Sequence, residues 1–457
     1  MWLTRKLGID KSIAYTSAGQ AVSAGGGFLT ALFILKCLSG VEQGYYYTFK
    51  SILAIQVFFE LGMNTVITQY VAHEASHLSW EGHLLVGERR YRSRLSSLLH
   101  FCAKWYAVFA TFLLLALIIG GYAFFSHYSK DGAGISWQAP WLILCFTTAL
   151  NLLLTPLFSY LQGLGKVKEV SEYYFYKYLF YLVSVLISFA LGAKLYALSI
   201  GNIVYILVSL VALFGTPFGK IIKNIFKTPV VERMSYMKEI FPFQWKIAVS
   251  WISGYFIFQL FNPVIFATNG AVVAGQMGMT LTVLTGIQAL TYSWTSTKVP
   301  TYSGYIELKK YKELDRLFHF TVRQAISVNA ACLAGFFAFI FVFRHFDITI
   351  SHVNLANRFL DYIPMLLMMI PEFANQYISA WGTYLRCHKQ EPYLVYSIVC
   401  GVLCCASTLG IGHFFGVNGI TLGYCLITVF LMPWAYRIFI NKRKLWHSPS
   451  FAGFNNA

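Results

Sequence analysis

GVEQGYYYTFKSILAIQVFFELGMNTVITQYVA, residues 40–72, is long enough to cross a bilayer and carries a carboxylate, Glu60, near its middle. Read as one helix, it repeats Gln56, Glu60, Asn64 and Thr68 every four residues. Four hydrogen-bonding side chains then form one stripe, with Ile, Leu, Val and Phe covering the rest. That stripe cannot face lipid. An ionisable group at mid-membrane costs roughly 2.5–3.5 kcal/mol on insertion scales, so it faces a helix bundle or a wet cavity and marks function. The competing reading is an interhelical hydrogen-bond staple.

The rest of the chain is of the same kind. Its 457 residues are 57% hydrophobic and 12% charged, with mean hydropathy +0.58. A bilayer core takes roughly 20 helical residues per crossing. Apolar runs of that length fall near 13–38, 44–70, 98–124, 139–162, 171–192, 195–215, 242–266, 274–298, 319–343, 360–384, 393–414 and 418–440, so twelve spans are expected. MWLTRKLGIDKS leads into a long first span with no short apolar region or cleavage site, so no cleavable signal is expected.

A net charge of +17 could indicate a nucleic-acid binder, but the charge is sided. With a cytoplasmic N-terminus, the tails and even-numbered connections hold 23 cations, among them Arg5, Lys6, Lys11, Arg89, Arg90, Arg92, Arg94, Lys220, Lys223, Lys389 and Lys442. The opposite connections hold Lys130, Lys194, Arg344 and Arg358. This is the positive-inside rule with both termini cytoplasmic; the basic loops then orient the chain and meet anionic lipids, and no nucleic acid is expected. His73, Glu74 and His77 have the H-E-x-x-H spacing of zinc peptidases, yet no third ligand can be picked out, so no metal site is expected. The nine cysteines lie in or beside spans and imply no disulfide.

The two halves repeat. A shift of 224 residues pairs Pro140 with Pro364, Asn151 with Asn375, Tyr160 with Tyr384 and Gly192 with Gly416; a shift of 231 pairs Gly44 with Gly275, Glu60 with Thr291 and Asn64 with Thr295. Six spans per half make these parallel repeats, the plan of many carriers. The expected layout is an N-terminal six-helix bundle (1–215), a basic cytoplasmic linker (216–240), a C-terminal six-helix bundle (241–440) and a cytoplasmic tail (441–457).

Three stretches carry a family resemblance. LSGVEQGYYYTFKSILAIQVFFELGMNTVITQYVA resembles the first hairpin of Wzx-type polysaccharide flippases, YSGYIELKKYKELDRLFHFTVRQA their central cytoplasmic connection, and YLQGLGKVKEV the end of their fourth helix. Glu60 stands where the family more often has Asp. The resemblance implies the multidrug, oligosaccharidyl-lipid and polysaccharide exporter (MOP) superfamily: an all-α, MATE-like polytopic membrane protein with twelve helices in two bundles around a central cavity. It implies a bacterial inner-membrane flippase, not an enzyme, moving an undecaprenyl-diphosphate-linked oligosaccharide such as an O-antigen or capsule unit to the outer leaflet. Polysaccharide polymerase machinery would be a partner, and no cofactor is implied beyond a coupling ion, H+ or Na+.

The residues agree in sign with an anionic cargo. Only Glu60 and Glu372 are acids deep in spans, whereas Lys104, Lys177, Lys246 and Arg323 lie one to two turns inside the cytoplasmic ends of spans three, five, seven and nine. They either form a cationic vestibule for a diphosphate or snorkel to the interface. Lys36 and Lys50 lie near outer ends; Gln56, Asn64, Asn151, Gln288 and Asn375 complete the polar cavity candidates, and Glu60 and Glu372 are the coupling candidates. Tyr45, Tyr46 and Tyr47 are expected as interfacial belt residues or platforms for sugar rings. A multidrug antiporter would favour acids in spans one and seven, which have none; a glycosyltransferase or polymerase would need a larger outer loop; a channel fits the composition, and the two-lobe repeat favours a carrier over it.

Overall fold

The computed structural model describes residues 11–129, 134–350, 353–388 and 390–447; Arg5, Lys6, Lys130, Lys389 and the last residues of the tail lie outside the described residues. The chain divides into two compact units, Met1–Tyr255 and Phe256–Ala457.

In the first unit, α1 (Lys11–Cys37) is followed by a capping box that starts α2 (Gly40–Leu53). The Ser39 hydroxyl accepts from the Glu42 amide at 3.1 Å, and the Glu42 carboxylate accepts from the Ser39 amide at 2.8 Å. Two otherwise orphaned helix-start donors are thereby satisfied. Then come α3 (Met63–Ala75), α4 (Arg89–Tyr128), α5 (Gln138–Gly163), α6 (Val167–Ala190), α7 (Tyr196–Gly215), α8 (Pro217–Phe226) and α9 (Phe241–Phe258). Helix α1 packs on α6, α6 on α7, and α5 lies against α3, α4 and α7.

The second unit holds α10 (Phe261–Ser296), α11 (Val299–Glu307), α12 (Tyr311–His345), α13 (Tyr362–Cys387) and α14 (Leu394–Trp446). Helix α13 packs on α14, and α10 on α12 and α14. Two apparent single helices are hairpins: α10 turns at Gly270 (φ 86°) and α14 at Gly416 (φ 56°). A Cβ at Gly416 would lie 2.5 Å from the Asn269 side chain, so both conformation and space require glycine there. Among the described residues, with α2 and α3 as two halves of one crossing, α9 continued by the nine residues of α10 before Gly270, and α14 opened at Gly416, twelve long helical crossings result, the seventh beginning with α9.

The repeat has structural counterparts within each unit. Gly192, like Gly416, takes a left-handed backbone (φ 77°) after the fifth span of its half. Tyr160 donates to the Leu95 carbonyl at 3.0 Å, and Tyr384 to Asp315 at 2.7 Å, so the fourth span of each half is pinned to its third.

Several local features go beyond or differ from the sequence-based expectation. Tyr45, Tyr46 and Tyr47 are buried, neither belt nor platform: the Tyr45 ring packs on Phe125 with centroids 5.7 Å apart, and its hydroxyl donates to Ser129 at 2.7 Å. Their helix lies inside the unit, and a buried hydroxyl that finds a partner makes tyrosine a good core residue. The basic connection 216–240 carries ordered structure of its own. Helix α8 buries Phe218, Ile221 and Ile225, and Ser93 on α4 accepts from the amides of Val231 at 2.7 Å and Glu232 at 2.8 Å. The loop after α3 forms a hairpin, β1 (Leu78–Glu81) and β2 (Leu84–Gly87), a small exception to the all-helical reading. A two-residue pairing, β3 (Thr349–Ile350) with β4 (Val353–Asn354), is another.

Candidate functional site

Each unit carries a buried polar cluster around one of the two deep acids. In the first, the expected continuous stripe is broken. After Leu53 the chain tightens into a 3-10 turn, Ala54–Gln56, makes one α-turn, Val57–Glu60, and stops. Leu61 (φ 49°) and Gly62 (φ 64°) are both left-handed, and α3 begins afresh at Met63. Left-handed geometry costs a leucine roughly 1–2 kcal/mol, so tertiary packing must hold it. Gln244 from α9 donates to the freed Leu61 carbonyl at 3.4 Å, and Gly62 sits so close to Ile247 that a Cβ would lie 2.3 Å from the isoleucine methyl.

The break re-aims the stripe. Gln56 donates to Glu60 at 3.0 Å on the near side, while beyond the break Asn64 accepts from Tyr106 at 3.3 Å. Thr68 donates to the carbonyls of Asn64 at 3.0 Å and Ser159 at 3.1 Å, tying α3 to α5. Glu60 is only 8% exposed. Broken helices at membrane depth survive only where protein or a cavity satisfies the freed backbone, and carriers place binding sites at such breaks.

Asn151 and Lys177 come together in the same unit. Lys177, 2% exposed, donates to Asn151 at 3.4 Å and lies 3.6 Å from the Tyr205 ring centre, 5.3 Å from Tyr173 and 5.9 Å from Tyr174. It is a cation in an aromatic box with no salt bridge among the described residues. Lys104, Lys246 and Lys50 are exposed side chains of this unit, with Lys50 5.9 Å from the Tyr46 ring.

In the second unit, Glu372 on α13 is 1% exposed. One turn on, Gln376 accepts from Thr291 at 3.1 Å; Thr291 accepts in turn from Asn329 at 3.3 Å. Glu372 Oε2, Asn329 Oδ1, Gln376 Nε2 and Thr295 Oγ1 are buried without a hydrogen-bond partner. Buried polar groups left without a partner are costly, and four of them occur in this one cluster. Asn375 donates to Tyr424 at 2.9 Å, and half-buried Gln288 supplies a backbone carbonyl to Thr291 at 3.2 Å. Arg323 is exposed. Thr291, the repeat partner of Glu60, thus lies in the cluster that follows Glu372: the second half moves its acid to the facing helix.

Ion clusters close one end of each unit. Arg94 bridges Glu74 at 3.0 Å and Glu239 at 2.5 Å, which consumes the Glu of the H-E-x-x-H stretch, while His77 stacks on Tyr91 at 4.1 Å. Among the described residues no metal-ligand cluster exists. Burial pushes the Glu239 carboxyl up, but the Ser235 amide and Arg94 outweigh it and hold it below the ordinary carboxylate value. In the second unit, Asp315 takes Arg443 at 3.2 Å and Tyr384 at 2.7 Å, and His388 stacks on Trp446 at 4.4 Å.

Residues that sequence reasoning missed are Leu61, Gly62, Gln244, Tyr106, Tyr205 and Asn329. The glycine two residues after Glu60 was the only legible signal of the break.

No family model matches the sequence, and no curated protein matches it. Solved structures do. An inward-facing multidrug-resistance MATE family transporter of the MOP superfamily superposes with TM-score 0.66 at 12% identity, covering 95% of this chain and 99% of that one. The lipid II flippase MurJ, in an inward closed conformation, gives 0.55 at 14% identity over 94% and 90%. A MOP-superfamily transporter from Pyrococcus furiosus, described as having a binding pocket of reverse polarity, gives 0.51 at 12% over 94% and 96%. The chain has the MOP-superfamily fold: a polytopic membrane protein of twelve helices in two six-helix bundles.

Proposed function

We propose that this protein is a flippase for a polyprenyl-diphosphate-linked oligosaccharide, an O-antigen or capsule unit on undecaprenyl diphosphate, working by alternating access in a bacterial inner membrane with both termini cytoplasmic. The observation that carries the reading is the sign of the accessible charge. The deep charged side chains left exposed, Lys104, Lys246 and Arg323, are all cationic, whereas both deep acids are buried. A cation exporter needs the opposite arrangement; a diphosphate is met by charge-assisted donors of this kind. Similarity in fold to the lipid II flippase MurJ supports the class. Glu60, on the last turn before the break in the second span, is the candidate for proton or sodium exchange as the helix halves move, a reading supported by the break itself. Glu372 and its unsatisfied neighbours form a second exchange site.

The test is flipping of a fluorescent polyprenyl-diphosphate oligosaccharide in vesicles holding the purified protein, with imposed proton or sodium gradients. Export of a cationic dye in place of the lipid would replace this reading with a multidrug antiporter.

A further inference from the structure

A groove of about 660 Å³ runs along the outside of the first unit between α6, α7 and α8, within the range of about 300–1,000 Å³ usual for ligand sites. None of the expected cargo-binding residues lines it. Its walls are apolar along its length: Tyr176 and Phe180 on α6, Val204, Val208 and Val211 on α7, Phe218 on α8. Its polar groups, His83, Lys166, Glu169 and Glu172, cluster at the end where α6 begins and α8 crosses. From Lys166 to Phe180 is about 20 Å at 1.5 Å per residue, against about 15 Å for half of a bilayer core. The groove is therefore one leaflet deep, wet at the basic interface and dry at mid-membrane.

We propose that this groove holds one phospholipid whose head group carries both a phosphate and a primary ammonium, an aminophospholipid of the phosphatidylethanolamine type. The rim has both signs, and its order suits that head group. Lys166, whose ammonium sits 4.3 Å from the Trp80 ring centre, and His83 meet the phosphate. Exposed Glu169 accepts from the ammonium, with Glu172 one turn further along the rim. Two carboxylates at the rim disfavour a purely anionic head group, and a trimethylated one has no N–H for Glu169. One acyl chain fills the space between Phe180 and Val208, and α8, with Lys220 and Lys223 on its outer face, lies at the interface beside the head group. This site is separate from the proposed transport path, so flipping could fail to be found and the lipid site would still stand.

Native mass spectrometry of the full chain, extracted in mild detergent and exchanged into equimolar phosphatidylethanolamine, phosphatidylglycerol and a polyprenyl phosphate, tests this. One phosphatidylethanolamine per chain should be retained. Val208→Trp, which fills the groove, should abolish retention, and Lys166→Gln or Glu169→Gln should each weaken it about tenfold, the scale of one charge-assisted contact. If Val208→Trp does not yield folded protein, the two rim variants decide. Equal or better retention of phosphatidylglycerol, a polyprenyl phosphate in its place, or retention indifferent to all three substitutions would overturn the proposal.

Discussion

At the scale of single residues, Glu60 and Gly62 act together. The glycine permits the break that interrupts the polar seam, and the buried carboxylate sits on the last turn before it. Glu60→Gln is expected to impair flipping more than Glu372→Gln, because Glu60 lies at a helix break and Glu372 within a continuous helix. Equal, gradient-independent flipping in wild type and Glu60→Gln would leave Glu60 a structural hydrogen-bonding group. Gly62→Ala places a Cβ 2.3 Å from Ile247 at φ 64°. It should cost about 1–3 kcal/mol of stability, read as a lower Tm in detergent, with partial rescue by Ile247→Ala. His388 offers a pH handle outside the spans. Burial pulls its imidazole down to about 4; His447 pulls in the same direction, against the Tyr384 carbonyl and Asp315. A folded value below the unfolded one means that stability is full above about 6.5 and is lost as pH falls from there towards 4. Hydrogen exchange around residues 384–388 should quicken over that window, and His388→Gln should flatten the dependence.

At the scale of elements, the four deep cations separate into two kinds. Lys177 is enclosed by Asn151 and three tyrosine rings across α5, α6 and α7. Lys177→Ala leaves a cavity and an unpaired amide, so it should lower stability by about 2–4 kcal/mol as well as transport. Lys104, Lys246 and Arg323 are exposed, and their alanine variants should stay within about 0.5 kcal/mol of wild type while flipping slows; arginine for lysine should be tolerated better. Full flipping in all the alanine variants would mean that these side chains merely reach the interface. The sequence made the helices legible through length and hydropathy, and the repeat through Gly192 and Gly416. It did not make legible the break in the second span, because Val, Phe, Phe and Glu read as uninterrupted helix and the cost of a left-handed Leu61 is offset only by Gln244 and Ile247, far away in sequence.

At the scale of the whole molecule, the proposed orientation places the Arg89–Arg94 stretch on the cytoplasmic side and Asn354 on the other. Single cysteines at these positions, probed with an impermeant thiol reagent in intact cells, should label from outside at 354 only; the reverse pattern would invert the topology. Two of the few cations at the opposite end are engaged in structure, Lys194 with Glu42 at 2.9 Å and Arg344 with Asp361 at 3.1 Å. The sequence by itself determined that this is a membrane protein of twelve spans in two related halves, since bilayer thickness and backbone hydrogen bonding force that pattern into local composition. Only the tertiary structure decided which polar groups meet: that the tyrosines 45–47 are core, that Lys177 is boxed by rings, that Thr291 joins the cluster beside Glu372, and that the second span breaks. Those outcomes depend on which helix faces face each other, and facing is set by packing between segments tens to hundreds of residues apart.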